Sequence, residues 1–509
     1  FPTLLRGAGY HCTNNVKEDY NLAQPGKVWD DSSKQAHWRQ RISGQPFFAV
    51  FNSARSHESR IRARPHTPVH DPEKVHVPAY HPDTPEVRRD WAQYYDVVSQ
   101  ADADAGQRLR ELEADGLAEE TIIFYFSDHG SGMPRNKRWL YNSGLQVPLV
   151  VYIPPKFQSL RPADYRAGGT SDRRVGFVDF APTVLSLAGV QPPPWMQGHA
   201  FLGRFASAPQ PFVYGLRGRM DERQDLLRSV TDGRYVYIRN YQPHRMYGQY
   251  LAYMWQTPTT GVWQKLHDAG KLNAAQDAFW RSKPPEELYD LANDPDEIHN
   301  LAASPAQQEI RRQLQAAQQA LARSIRDVGF LPEGEMNRRA AGGACYDLGH
   351  DEARYQFDRT FAMAELASDA RVVDPQALHD GMSDADGAVR YWAATGLLVR
   401  GAESVRSETS GLMAALRDTS PDVRIVAAEA LAAHGSPEER LAGLAELQAL
   451  AGARRQNVFT AVSAWNALDA LGQRAESTKR LLRSSEPLLE VPPHARYAEY
   501  VQRLRQGEN

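Results

Sequence analysis

Thr121-Ile122-Ile123-Phe124-Tyr125-Phe126-Ser127-Asp128-His129-Gly130 decides how this chain is read. An unbroken β-branched and aromatic run from Thr121 to Phe126 predicts a buried strand. The strand closes on a carboxylate and an imidazole, which therefore emerge together at its C-terminal end. Lys137 comes seven residues after the glycine, and Tyr141-Asn142-Ser143-Gly144-Leu145-Gln146-Val147-Pro148-Leu149-Val150-Val151 leads into a further strand over 147–153. Ligands of open α/β sheets bind at the carboxyl ends of strands. Oxygen and nitrogen donors there, with a cation nearby, suit metal-assisted chemistry on an anionic ester. An Asp at a strand end is also an ordinary turn former, so these residues alone leave a structural role open.

The flanking sequence extends the α/β pattern over 1–204. Pro46–Asn52 predicts a short buried strand, and a polar His- and Pro-rich loop follows over 57–85. Val87, Trp91, Tyr94, Val98, Ala101, Ala105, Leu109 and Leu112 then recur at helical spacing. Phe177–Gly189 predicts a helix with Pro182 near its first turn and a glycine stop. Strands alternating with helices imply a mostly parallel sheet flanked by helices.

From 205 to 335 the pattern becomes that of a smaller antiparallel subdomain. Leu226–Val230 and Arg234–Arg239 flank Asp232-Gly233, a hairpin signal, and a helix over about 304–326 closes the segment. Residues 336–352 read as a linker. The Ala/Leu-rich 353–509 region repeats itself: Gly387-Ala388-Val389-Arg390 recurs as Pro421-Asp422-Val423-Arg424 at an offset of 34, and a looser copy starts at Asn457-Val458. Helix pairs stacked at that period resemble a HEAT-like solenoid, with a plain helical bundle as the alternative.

Composition narrows the class. The 509 residues are too many for one ordinary core, and 42% hydrophobic with 24% charged residues is the mix of a globular protein. A formal net charge of −3 exerts no global pull on nucleic acid, so an anionic substrate must be held by local cations. No run reaches the ~18 apolar residues of a membrane span. Cys12 and Cys345 alone build neither a disulfide framework nor a thiolate zinc site. Phe1–Tyr10 reads as a helix end stopped by glycine, a mid-domain start. The chain is therefore expected to be a fragment, inactive by itself.

Four landmarks occur in order: Gly9-Tyr10-His11-Cys12-Thr13-Asn14-Asn15-Val16-Lys17; Phe47-Phe48 with His57; Ser127-Asp128-His129-Gly130 with Lys137, Tyr141 and Val147-Pro148-Leu149; and Glu287-Leu288-Tyr289-Asp290-Leu291 with Asp294-Pro295, Glu297 and Asn300-Leu301-Ala302. Together they resemble the sulfatase family of the alkaline-phosphatase superfamily from residue 1 to about 335, nearest to bacterial sulfatases grouped with heparan N-sulfatase (sulfamidase).

The resemblance implies hydrolysis of a sulfate ester or N-sulfate on a sulfated glycan, with one divalent metal (Ca²⁺), in a periplasmic or extracellular protein. Asp128 and His129 would be metal ligands. Their structural alternative is a turn aspartate and a histidine bonded to a backbone carbonyl. Lys17 and Lys137 would contact sulfate, and His57 would assist the leaving group. Asp19 stands where many sulfatases have a histidine. It could bind substrate or simply pair with Lys17. Arg223 and His244 could line a sugar or uronate pocket, or belong to a structural charge cluster. The family nucleophile is a formylglycine made from Cys or Ser in Cys/Ser-x-Pro-x-Arg. Neither Cys12 nor Cys345 sits in that motif, so the nucleophile and a first Asp-Asp metal pair are expected in a segment of roughly a hundred residues before Phe1. A phosphodiesterase or phosphonate hydrolase of the same superfamily, and a non-catalytic glycan-binding or scaffold protein, are the alternatives. The solenoid suggests a protein partner.

Overall fold

A computed structural model describes residues 1–20, 26–372, 374–452, 457–484 and 495–507. The fold is α/β, with a three-stranded parallel sheet, a two-stranded antiparallel sheet, a four-stranded sheet with antiparallel pairing and a helical C-terminal region. The chain divides into two compact units, Phe1–Val77 with Asp83–Met133 and Ser143–Tyr214, and Pro78–Pro82 with Pro134–Asn142 and Gly215–Asn509.

In the first unit, β1 (His11–Asn15) lies between β2 (Asp31–Ser32) and β3 (Phe47–Phe51), all parallel. Parallel pairing brings Asn15 opposite Phe51, so the chain leaves β1 and β3 at the same sheet edge. Cys12, with Leu5 and Leu185, is fully buried on this sheet. Burial pushes its thiol up to about 12, so it is an inert packing group.

β4 (Ile123–Phe126) and β5 (Leu149–Tyr152) pair antiparallel, Ile123 opposite Tyr152. A parallel return would need a crossover of a dozen or more residues built on a substantial helix. The connection carries only the four-residue helix Asn142–Leu145, so β5 runs back along β4. The amphipathic pattern of 87–112 becomes the helix Pro85–Ala114. Thr84 caps its first turn through Val87 N–H, and Val87, Trp91 and Ala92 bury against Ile61, Val75 and Met133.

In the second unit, β6 (Val213–Arg217), β7 (Leu227–Thr231), β8 (Tyr235–Asn240) and β9 (Glu286–Asp290) form one sheet in that order. Asp232-Gly233 turns the β7–β8 hairpin, with Gly233 at φ +93° and the Asp232 carboxylate accepting from the amides of Arg234 and Tyr235. The expected helix follows at Gln308–Ser324. Residues 336–352 carry the end of the helix Glu333–Ala340 and the helix Cys345–Gly349, and Ala340 and Leu348 are buried with Phe330 and Phe361. Beyond them, the 34-residue offset appears as two 14-residue helices, Gly387–Arg400 and Pro421–His434. Leu397, Leu398, Val423, Val426 and Leu431 pack together in one core.

Candidate functional site

Asp128 and His129 leave the end of β4 as the sequence pattern requires. His129 Nδ1 lies 2.6 Å from the Gly130 carbonyl oxygen. A carbonyl can only accept, so Nδ1 carries the proton and Nε2 presents its lone pair. That Nε2 is 3.7 Å from an Asp128 carboxylate oxygen. A carbonyl on one ring nitrogen with the other beside a carboxylate suits a metal-binding histidine, and the same carbonyl bond is that of the structural alternative, a strand-end histidine beside a turn aspartate. Two hard-to-borderline donors therefore fit half of a divalent site. Among the described residues, no group of three His, Cys, Asp or Glu gathers around a common point.

Glycine is needed after this pair for a steric reason. A Cβ on Gly130 would stand 1.9 Å from the Ser143 carbonyl oxygen, and Gly130 N–H donates to the Gly144 carbonyl at 2.9 Å. Two residues on, a Cβ at Gly132 would meet Glu58 Cβ at 2.3 Å and its Cα at 2.8 Å. The loop after Asp128-His129 is thereby pressed onto the start of the helix Glu58–Ile61, whose N-cap is His57.

His57 Nδ1 accepts from Ser59 N–H at 3.3 Å and lies 2.8 Å from Ser59 Oγ. In the neutral ring this puts the proton on Nε2, the form of a hydrogen donor. Lys17 follows β1 at the same sheet edge that His57 follows β3. Asn14 ties this edge together, donating to the Lys17 carbonyl at 3.1 Å and accepting from Asn52 at 2.9 Å. Lys17 and Asp19 pair at 3.3 Å with both side chains more than half exposed. Such a pair is weak and leaves Lys17 able to exchange its partner for an anion.

Lys137, Arg223 and His244 belong to the second unit. Of Pro134–Tyr141, Lys137 alone is not buried. Its neighbours are fixed: Arg138 donates to Asp221 at 3.2 Å, Tyr80 OH donates to Asn136 at 3.0 Å, and His81 donates to the Pro134 carbonyl at 3.0 Å. Burial pushes His81 down to about 3, so it is neutral in that role. Arg223 is buried, donating to Asp469 at 2.8 Å and to the Tyr250 carbonyl. His244 lines a cavity of about 240 Å³ with Arg245, Tyr391, Asp422 and Glu429. Its Nδ1 is buried without a hydrogen-bond partner among the described residues, and desolvation holds the ring well below the ordinary imidazole range.

One group that periodicity and spacing did not single out is the carboxylate pair Glu287 and Glu297. Glu287 is buried and accepts from Tyr141 at 3.1 Å, Tyr289 at 2.6 Å, Asn240 at 2.7 Å and Tyr247. Glu297 accepts from Asn142 N–H at 2.7 Å.

Residues 5–190 match the family model described as Sulfatase. They form a sulfatase-family domain. An ulvan-active sulfatase of Formosa agariphila is 36% identical over 378 residues, which cover 67% of this chain and 62% of that protein. The human N-sulphoglucosamine sulphohydrolase is 27% identical over 257 residues, 47% of this chain and 48% of its own. The chain thus spans about three-fifths or less of these curated relatives. A structure solved in complex with its substrate D-glucosamine-2-N,6-O-disulfate aligns at a TM-score of 0.41 and 15% identity, covering 63% of this chain and 81% of that one. Lys17, Asp19, His57, Asp128 and His129 all fall within the matched sulfatase domain.

Proposed function

We propose that this protein hydrolyses the sulfate ester or N-sulfate bond of a sulfated glycan. The observation that carries the reading is the arrangement at one end of the sulfatase domain. Lys17 and His57 follow strands that end at one sheet edge, and the loop carrying Asp128-His129 packs against the helix that His57 caps. The names of the relatives, an ulvan-active sulfatase and an N-sulphoglucosamine sulphohydrolase, favour a sulfated saccharide as substrate.

In this reading Asp128 and His129 Nε2 hold a divalent cation, Ca²⁺ given the oxygen-rich chemistry expected of its remaining ligands. Bound there, the cation would polarise a sulfate oxygen. Lys17 and Lys137 bind the sulfate oxygens and offset the charge that grows on them. His57, with its Nε2–H, hydrogen-bonds the leaving oxygen or nitrogen and stabilises the charge that grows there as the bond to sulfur breaks, and that leaving group takes its proton from solvent. The attacking group in this scheme is a formylglycine. The motif that would carry it is absent from these 509 residues, so we assign the nucleophile and the remaining ligands to sequence outside them. The helical region is read as a HEAT-like array that braces the antiparallel subdomain through Arg245–Glu429 and Arg223–Asp469.

The natural protein, with whatever residues precede Phe1, is the material for the test. Sulfate release from a sulfated oligosaccharide is expected, and phosphodiester turnover should be slower. No sulfate release from any sulfated saccharide, with brisk phosphodiester cleavage, would move the protein to a phosphoryl-transfer class.

A further inference from the structure

The loop Pro134–Asn142 is held at both ends by one distant segment, and its sole residue short of burial before Asn142 is Lys137. On one side of Lys137, the Arg135 guanidinium lies between the rings of Tyr80 and Tyr141, 4.1 and 3.6 Å from their centroids. It donates through Nη2 to the Glu297 backbone carbonyl at 2.8 Å. On the other side, Asn142 N–H donates to the Glu297 carboxylate at 2.7 Å, and Tyr141 OH donates to Glu287. Glu297 therefore grips the loop twice, once with its main chain and once with its side chain.

Both partners show that the grip is imposed. Arg135 has φ +71° and Glu297 φ +52°, left-handed values that non-glycine residues adopt only where the surroundings enforce them. Both are buried, and each has one polar atom, Arg135 Nη1 and Glu297 Oε1, without a hydrogen-bond partner among the described residues. Strained, incompletely satisfied groups of this kind persist where geometry is being held for function. The charged neighbours of Glu297 are Arg135, Glu287 and Asp294.

We propose that Glu297 is a positioning residue whose double contact with the Arg135–Asn142 loop sets the place of Lys137. The proposal rests on the reading of Lys137 as a sulfate-binding cation, and it extends that reading to the C-terminal acidic fingerprint. A cationic side chain on a loop this buried can hold one position without reorganising during the reaction.

The test compares Glu297→Ala, Glu297→Asp and Glu297→Gln with Lys137→Ala and the double variant Glu297→Ala/Lys137→Ala in the natural protein. Glu297→Gln keeps an oxygen for Asn142 N–H and should stay within about threefold of the parent. Glu297→Ala, or Glu297→Asp if the first does not fold, should lower kcat/KM by about 100-fold, the size expected for a displacement near 1 Å. The double variant should be no slower than Lys137→Ala alone. Amide hydrogen exchange read in parallel should rise at Asn142 and through 134–142 in Glu297→Ala. Multiplying losses in the double variant, or unchanged exchange in that loop, overturns the positioning role. Loop exchange that rises while the parent protein releases no sulfate would leave the Glu297 clamp standing and sink the sulfatase reading instead.

Discussion

Glu297 also makes a prediction about stability against pH. Burial raises its carboxyl from 4.5 to about 8, against the pull of Arg135 and the Asn142 amide. The folded state therefore binds this proton more tightly than the unfolded chain does. The stability it contributes is complete below pH 4.5 and is lost as pH rises through 8. A displacement of that size corresponds to about 5 kcal/mol well above pH 8, and a little over about 4 kcal/mol at pH 8 itself. Glutamine mimics the protonated side chain and does not titrate. Glu297→Gln should thus differ little from the parent near pH 5 and exceed it increasingly toward pH 8. Asp422, which burial raises to about 6, slopes the same way in both proteins and cancels in the difference. Urea unfolding followed by tryptophan fluorescence suits the test, because Trp139, Trp263 and Trp280 share a core with Tyr141 and Tyr289. In a chain this long the urea slope exceeds the range of about 1–3 kcal/mol per molar of small proteins, so the midpoints should separate by about half a molar or more at pH 8. Midpoints that run parallel from pH 5 to pH 8 would refute the assignment of a protonated, buried Glu297.

Gly130→Ala should disrupt the ordered Asp128-His129 loop, because its Cβ meets the Ser143 carbonyl oxygen of the helix Asn142–Leu145 at 1.9 Å and backbone atoms cannot retreat cheaply. Overpacking of this kind costs about 1–3 kcal/mol, and the readout is a lowered melting temperature. Cys12 should resist iodoacetamide in the folded protein at pH 8 and react once urea unfolds it, since its thiol is buried and raised to about 12. The Arg245–Glu429 pair, bidentate at 2.5 and 2.6 Å, should show the asymmetry of buried ion pairs. Glu429→Gln alone should destabilise by about 3–5 kcal/mol, and Arg245→Met with Glu429→Leu by clearly less. Calorimetry on the three proteins decides this.

Much of the architecture could be read from local pattern. Thr121–Phe126 is β-branched and aromatic, so its strand and the carboxylate at its end were visible, but Tyr125 and Phe126 are exposed where a buried strand was expected. Asp232-Gly233 announced its hairpin, and the repeat at 387 and 421 announced two equivalent helices. The central place of β1 was hidden because Thr13, Asn14 and Asn15 carry no hydrophobic signal, although Thr13 and Asn14 are buried. The direction of β5 depends on how little helix lies between two strands, which an apolar run does not encode. At the site, Asp128-His129 was legible through its position after a strand, whereas the proton positions on His57 and His129 emerge only from Ser59 and the Gly130 carbonyl. Arg223 has its partner Asp469 far along the chain, a pairing that charge patterning near the hairpin does not reveal. Glu297 was legible as part of a fingerprint. Its grip on Asn142 and Arg135 needed coordinates.

The proposed function has Asp128, His129, His57 and Lys17 act on a sulfate group and gives Lys137 a sulfate-binding role. It is tested most directly by quantifying sulfate released from a sulfated oligosaccharide by the natural protein and by its Asp128→Asn and Lys137→Ala variants, each checked for native melting. Steady release by the parent and a loss of at least about 100-fold in each variant are expected. Release at the parental rate by either folded variant would contradict it.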